Sequence, residues 1–96
     1  MKNYWKTKDS DILFQAILEL KTINECERFF RDVLTIKELQ EMISRFKVAR
    51  ELSKAKPKSY IEIAKEVGTS TATVTRVAQW LKGTGGGYRL ALNRLK

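Results

Sequence analysis

The stretch Ser70-Thr-Ala-Thr-Val-Thr-Arg76, with Gln79 just beyond it, concentrates groups that can touch a base edge or a phosphate. Threonine hydroxyls can bond either partner, and threonine methyls can pack on the thymine methyl. Few long polar side chains are present for bidentate readout, so water-mediated and shape-dependent reading should matter. Ser70, Thr71, Ala72, Thr73, Thr75, Arg76 and Gln79 are therefore the candidate reading residues. Lys54, Lys56, Lys58, Lys65 and Lys82 are the candidate phosphate contacts and the source of salt-dependent affinity. Covalent and metal chemistry have much less to work with. The chain contains no histidine and one cysteine, Cys26. That removes the usual general base and every Ser-His or Cys-His pair. It also leaves no disulfide within the chain and argues against a zinc site. Glu62 and Glu66 are a helical repeat and suggest no acid-base pocket. No catalytic residue, metal site or cofactor is expected, and the protein is not expected to be an enzyme.

Charge points the same way. Residues 1–41 carry seven Lys/Arg against eight Asp/Glu, whereas residues 42–96 carry twelve against three, within a total of +8. A near-neutral half joined to a strongly basic half suggests a scaffold with a polyanion-binding face. Ninety-six residues suffice for one domain, 1–96. The longest apolar stretch, Ile12 to Leu20, is broken by Gln15 and Glu19 and cannot cross ~30 Å of hydrocarbon. No basic start followed by a small-residue cleavage site is seen. A cytoplasmic protein without membrane contact is expected.

The elements that must position these residues read as helices. Three Ser/Thr-x-x-Glu patterns, Thr22–Glu25, Thr35–Glu38 and Ser59–Glu62, mark helix starts as capping boxes. A first helix, Ser10 to Lys21, is apolar over most of its circumference, with only Asp11, Gln15 and Glu19 forming a wet stripe; it needs cover on most sides. A second, Ile23 to Val33, lines up Ile23, Cys26, Phe30 and Val33, which makes Cys26 a small buried hydrophobe. A third, Ile36 to Lys54, stops before Pro57 because the residue ahead of a proline avoids the helical region.

The most specific local pattern follows. Tyr60 to Val67 is one helical segment and Thr71 to Leu81 another, with Gly68-Thr-Ser70 between them. A helix-turn-helix needs a small residue at the crossing (Ala64), a turn residue that tolerates positive φ (Gly68), and flanking apolar anchors (Ile63, Val67, Val74, Val77). Ser70 caps the second helix. Val74, Val77, Ala78 and Leu81 fall on the inner side of that helix; Ala72, Arg76 and Gln79 fall opposite. Gly83-Thr-Gly-Gly-Gly87 follows a helix rather than a strand, so it reads as a flexible joint with Gly83 in the C′ position, not as a phosphate loop. Tyr88, Leu90, Leu92 and Leu95 form a closing helix over 88–95 that packs back on the core. At the other end, Lys2, Tyr4, Trp5, Lys6 and Lys8 are either a phosphate-contacting arm or a frayed terminus.

Leu34-Thr35, the internal Arg45, and above all Ala72-Thr-Val-Thr-Arg76 ahead of Leu81-Lys82 resemble the tryptophan repressor family. The tail Gly83-Thr-Gly-Gly-Gly-Tyr88 looks like its YerC/YecD-type branch. The resemblance covers about residues 10–95. It implies an all-α, intertwined homodimer: helices within 10–54 of both subunits interlace, 59–82 form the helix-turn-helix, and the over-apolar first helix finds its cover. The function implied is a sequence-specific, double-stranded-DNA-binding transcriptional regulator, a repressor acting by occlusion. Its rival from another class is a helical protein-interaction adaptor without duplex binding.

The resemblance also implies a possible effector site. In that family the indole of tryptophan lies between two arginines, matched here by Arg45 and Arg76, and Thr35 is counted with them. The position facing the ring, glycine in the family, is Val77, and the serine near the amino group is Trp80. Overpacking such a slot typically costs ~1–3 kcal/mol. Trp80 could instead lie across Arg76 as a cation–π partner. Tryptophan is therefore not the expected corepressor: the site is either self-filled or adapted to a different small molecule.

Overall fold

The computed structural model describes residues 3–83 and 85–95; Lys2 of the candidate arm and Thr84 of the glycine-rich joint lie outside them. The described residues form six helices and no strand: α1 (Lys8–Leu18), α2 (Ile23–Val33), α3 (Ile36–Leu52), α4 (Tyr60–Val67), α5 (Thr71–Lys82) and α6 (Gly87–Leu95). The all-α expectation holds. The chain divides into two compact units, Met1–Ile36 and Lys37–Lys96, described separately below.

In the first unit, α1 begins at Lys8, two residues before Ser10, because Thr7 is its N-cap. The Thr7 hydroxyl accepts from the Ser10 N–H at 3.1 Å, and Ser10 Oγ accepts from the Thr7 N–H at 2.8 Å. Thr22 caps α2, its hydroxyl accepting from the Glu25 N–H at 3.0 Å. The Glu25 carboxylate, however, takes the Lys21 N–H at 2.8 Å, so the reciprocal half of the expected box is shifted by one residue. Trp5 meets Phe14 edge to face, with ring centroids 6.4 Å apart. Cys26 and Phe30 are half-buried rather than fully enclosed. No residue of α1 or α2 is buried, and Ile12, Leu18 and Ile23 are 66%, 72% and 81% exposed.

The second unit holds the core. Val48 and Ala49 of α3, Ile63 and Ala64 of α4, and Val74 and Val77 of α5 are buried against one another. Leu52, Val67, Leu81, Tyr88 and Leu92 close around them. Tyr88 and Leu92 thus pack back on the core as expected of a closing helix, while Leu90 and Leu95 stay 54% and 67% exposed. The Tyr88 ring lies 6.5 Å from that of Phe46, tilted against it. Gly83 does not take the left-handed C′ conformation: its φ is −79° and ψ −176°. Among the described residues of that joint, Gly86 is left-handed, at φ +68°.

Candidate nucleic-acid interface

Both helices of the candidate reading unit start on a serine cap. Ser59 and Glu62 make the full capping box: Ser59 Oγ accepts from the Glu62 N–H at 3.2 Å, and Glu62 Oε1 takes the Ser59 N–H at 3.4 Å and the Ser59 hydroxyl at 3.0 Å. Ala64, 6% exposed, sits where α4 meets α5. The turn is closed by Gly68 at φ +80°, a left-handed conformation that a Cβ would penalise. The Gly68 and Thr69 N–H groups both reach the Ala64 carbonyl at 2.9 Å. Ser70 then caps α5, its hydroxyl accepting from the Thr73 N–H at 3.1 Å.

Burial of Val74, Val77 and Ala78 fixes the rotation of α5 about its axis. Ser70, Thr71, Ala72, Thr75, Arg76 and Gln79 are consequently exposed, and Thr73 is half-buried. Ser70 Oγ and Thr73 Oγ1 lie 3.1 Å apart, and the Thr75 hydroxyl donates to the Thr71 carbonyl at 3.0 Å. A recognition helix needs such a polar, solvent-facing N-terminal half set on an apolar base.

Lys54, Lys56, Lys58, Lys65 and Lys82 are all exposed, but two of them hold carboxylates. Lys54 Nζ lies 3.0 Å from Glu51 Oε1, and its hydrogen bond holds the Glu51 carboxyl below its ordinary pKa. Lys58 Nζ pairs with Glu66 across eight residues, and that hydrogen bond raises the lysine above its ordinary pKa. Exposed pairs of this kind are weak and screened by salt, so a phosphate can displace them. Lys56, Lys65 and Lys82 make no ion pair among the described residues.

The structure brings four of the five possible effector residues together. Arg45, Arg76, Val77 and Trp80 line one cleft of about 950 Å³, bounded by α3, the α4–α5 turn, α5 and Tyr88. Thr35 belongs to the N-terminal unit. Arg45 pairs with Glu41 at 3.5 Å on the same helix, as i, i+4 spacing allows. Arg76 makes no ion pair, and no cation–π contact with Trp80, among the described residues; the Trp80 ring is 62% exposed. Val77, only 1% exposed, is committed to the core beneath the cleft.

Sequence reasoning missed Lys37, Gln40 and Ser44 on the cleft wall. Their signal was available, since with Glu41 and Arg45 they recur at three- and four-residue intervals along one face of α3. It also missed Arg89, whose guanidinium donates to the Gly83 carbonyl at 3.2 Å and ties α6 to the end of α5.

No described helix is long and apolar enough to cross a membrane. The fourth and fifth helices, joined as a helix-turn-helix with a polar, solvent-facing N-terminal half on the second, have the arrangement found in helix-turn-helix regulators. Comparison with known proteins gives the family. The Trp repressor protein family matches residues 8–96. The chain is 44% identical over 89 residues to the uncharacterized Bacillus subtilis (strain 168) protein YerC, covering 93% of this chain and 84% of that one. Its structure resembles a TrpR-like protein from Eubacterium eligens (TM-score 0.89, 41% identity, 98% of this chain and 95% of that one). It also resembles a candidate Trp repressor from Staphylococcus aureus (TM-score 0.86, 36% identity, 94% and 88% covered). The chain belongs to the Trp repressor family and is a YerC-type member of it.

Proposed function

We propose that the protein is a cytoplasmic, homodimeric DNA-binding regulator that represses transcription by occluding its site. The observation that carries this reading is α5. Its inner face is locked into the core, while Ser70, Thr71, Ala72, Thr75, Arg76 and Gln79 stand exposed in the unit that also carries the exposed lysines 54, 56, 58, 65 and 82. Two such helices related by a two-fold axis would enter successive major grooves about 34–36 Å apart. The lysines at 54, 56, 58, 65 and 82 would meet the flanking phosphates. The dimer is supported by α1 and α2, whose apolar side chains have no buried position in the single chain; residues 10–54 supply the dimerisation helices. A second copy covering Ile12, Leu18 and Ile23 gains about 25 cal/mol for each Å² of apolar surface removed from water.

Tryptophan is not the corepressor in this reading. Val77 stands in the core at the position where the family's ring needs a glycine, and Trp80 supplies no hydroxyl. The cleft nevertheless keeps about 950 Å³, and the Trp80 ring stands largely in solvent instead of filling it. That favours adaptation to a different effector over a self-filled site, with Arg45 and Arg76 as its candidate contacts.

The deciding experiment is a duplex-DNA titration at increasing salt. Affinity should fall by about three to five powers of ten between 50 and 200 mM salt if six to ten phosphates are neutralised. Absence of duplex binding even at low salt would leave the adaptor reading. Light scattering should give a dimer, and a stable folded 11.1 kDa monomer at micromolar concentration would refute the assembly. Calorimetry with L-tryptophan should give no saturable heat; binding at physiological concentrations with tightened DNA affinity would overturn the effector part.

A further inference from the structure

The hydroxyls at the start of α5 are not equivalent proton donors. Ser70 Oγ and Thr73 Oγ1 share one bond, so of their two protons one is spent and one remains for an outside partner. Thr75 is different. Its Oγ1 donates to the Thr71 carbonyl one turn back at 3.0 Å. A helical threonine has two χ1 wells open to it because its hydroxyl can make this backbone bond, and making it selects one of them. A hydroxyl carries a single proton, so Thr75 has none to offer a base while the bond holds. What remains on this exposed side chain, apart from an oxygen turned back toward the preceding turn, is the γ-methyl group.

We infer that Thr75 is the residue of α5 that reads thymine, by packing its γ-methyl against the 5-methyl group, and that it donates no hydrogen bond to DNA. The inference rests on the duplex-binding reading above. In the major groove only thymine presents a methyl, whereas guanine N7 and O6, adenine N7 and thymine O4 all ask for a donor. A side chain whose only proton is held by its own backbone answers the methyl and none of those acceptors.

The test uses the full chain. Preferred duplexes are selected from random DNA with the wild-type protein, and each thymine is then replaced singly by deoxyuridine, which removes only the methyl. At one thymine per half-site, uracil should weaken wild-type binding about four-fold, equivalent to ~0.8 kcal/mol for one buried methyl-sized group. Thr75→Val, which keeps a methyl and loses the hydroxyl, should retain both the selected preference and the uracil effect. Thr75→Ser, which keeps the hydroxyl and loses the methyl, should bind thymine and uracil equally there. Circular dichroism and melting confirm that both variants are folded. Loss of preference in Thr75→Val with retention in Thr75→Ser would overturn the inference in favour of a hydroxyl reader. A wild-type protein with a clear preference but no uracil-sensitive thymine would overturn it while leaving duplex recognition intact. A wild-type protein that selects no duplex would remove the duplex-binding reading, and the inference with it.

Discussion

Replacing Gly68 by alanine isolates one backbone conformation and nothing else. Gly68 has φ +80° and ψ +39°, and no heavy atom lies within 4 Å of the position a Cβ would take. Steric conflict with neighbours is therefore absent, and the cost is the conformation itself. The left-handed region costs an L-residue about 1–2 kcal/mol. Alanine also restricts the unfolded chain, a gain of about 0.4–1 kcal/mol that a strained site only partly returns. The net expectation is a loss of about 1 kcal/mol. For a domain of this size that lowers Tm by roughly 4–8 °C. The assay is thermal unfolding followed by circular dichroism at matched protein concentration, since an assembling chain has a concentration-dependent midpoint. Gly68→Asn should lose less, because asparagine tolerates left-handed φ, and Gly68→Val more, because β-branched residues tolerate it worst. A Gly68→Ala protein with unchanged Tm would show that the turn does not require left-handed φ. Equal large losses for alanine and asparagine would show a side-chain clash where the structure has open space. Either result refutes the account of how α4 is set against α5.

Three further outcomes follow from the same geometry. Ile63→Ala empties a fully buried core position and should cost about 2–5 kcal/mol in denaturant unfolding; a loss under 1 kcal/mol would mean that the α3–α4–α5 core is not closed as described. Lys56→Ala should lower the salt slope of duplex binding by about one, while Glu66→Gln should tighten binding about two- to five-fold by freeing Lys58 from its partner; unchanged binding in both would remove this lysine face from the interface. The Lys58–Glu66 pair raises the lysine in the folded state, so its contribution is full below pH 10.5 and is lost as pH rises through the folded value. The Glu51–Lys54 pair lowers the carboxyl, so its contribution is present above pH 4.5 and is lost as pH falls through the folded value. Lys58→Met should flatten the alkaline limb of Tm against pH and also soften the acid limb slightly, because the Lys58 charge helps Lys54 to hold the Glu51 carboxyl down; an unaltered alkaline limb would refute the assignment.

What was legible in the sequence is what is decided within four residues. Ser59 and Glu62 meet because one helical turn brings them together, and Gly68 is left-handed because its own α-carbon permits it. The same reasoning placed the boundaries of α2 and α4 and the buried side of α5, where period and caps agree. It failed where a local rule had a competitor. The Thr7–Ser10 box was missed because its third residue is serine instead of glutamate, and α1 therefore starts two residues early. Glu25 had two backbone N–H groups within reach and took that of Lys21. Gly83 was placed at the C′ position because it follows a helix, yet its backbone is extended, and Gly86 of the same joint is left-handed.

Partners brought together by the way the chain enters α4 were illegible for a stronger reason. Lys58 and Glu66 are eight residues apart, on either side of α4's first turns, and nothing in their spacing selects that pair over Lys58 with Glu62. The cleft has the same character. Arg45 and Arg76 could be matched to a family pattern, but whether Val77 and Trp80 close the space between them depends on which way α5 is rolled. That roll is set by Val74, Val77 and Ala78 together, because all three must leave water at once. With Val77 drawn into the core, Arg76, one residue earlier, is carried to the surface side of α5 and Trp80, three residues later, to the rim. The apolar choice at position 77 therefore does two things: it fills the core beneath the cleft, and it holds Arg76 exposed on the cleft wall.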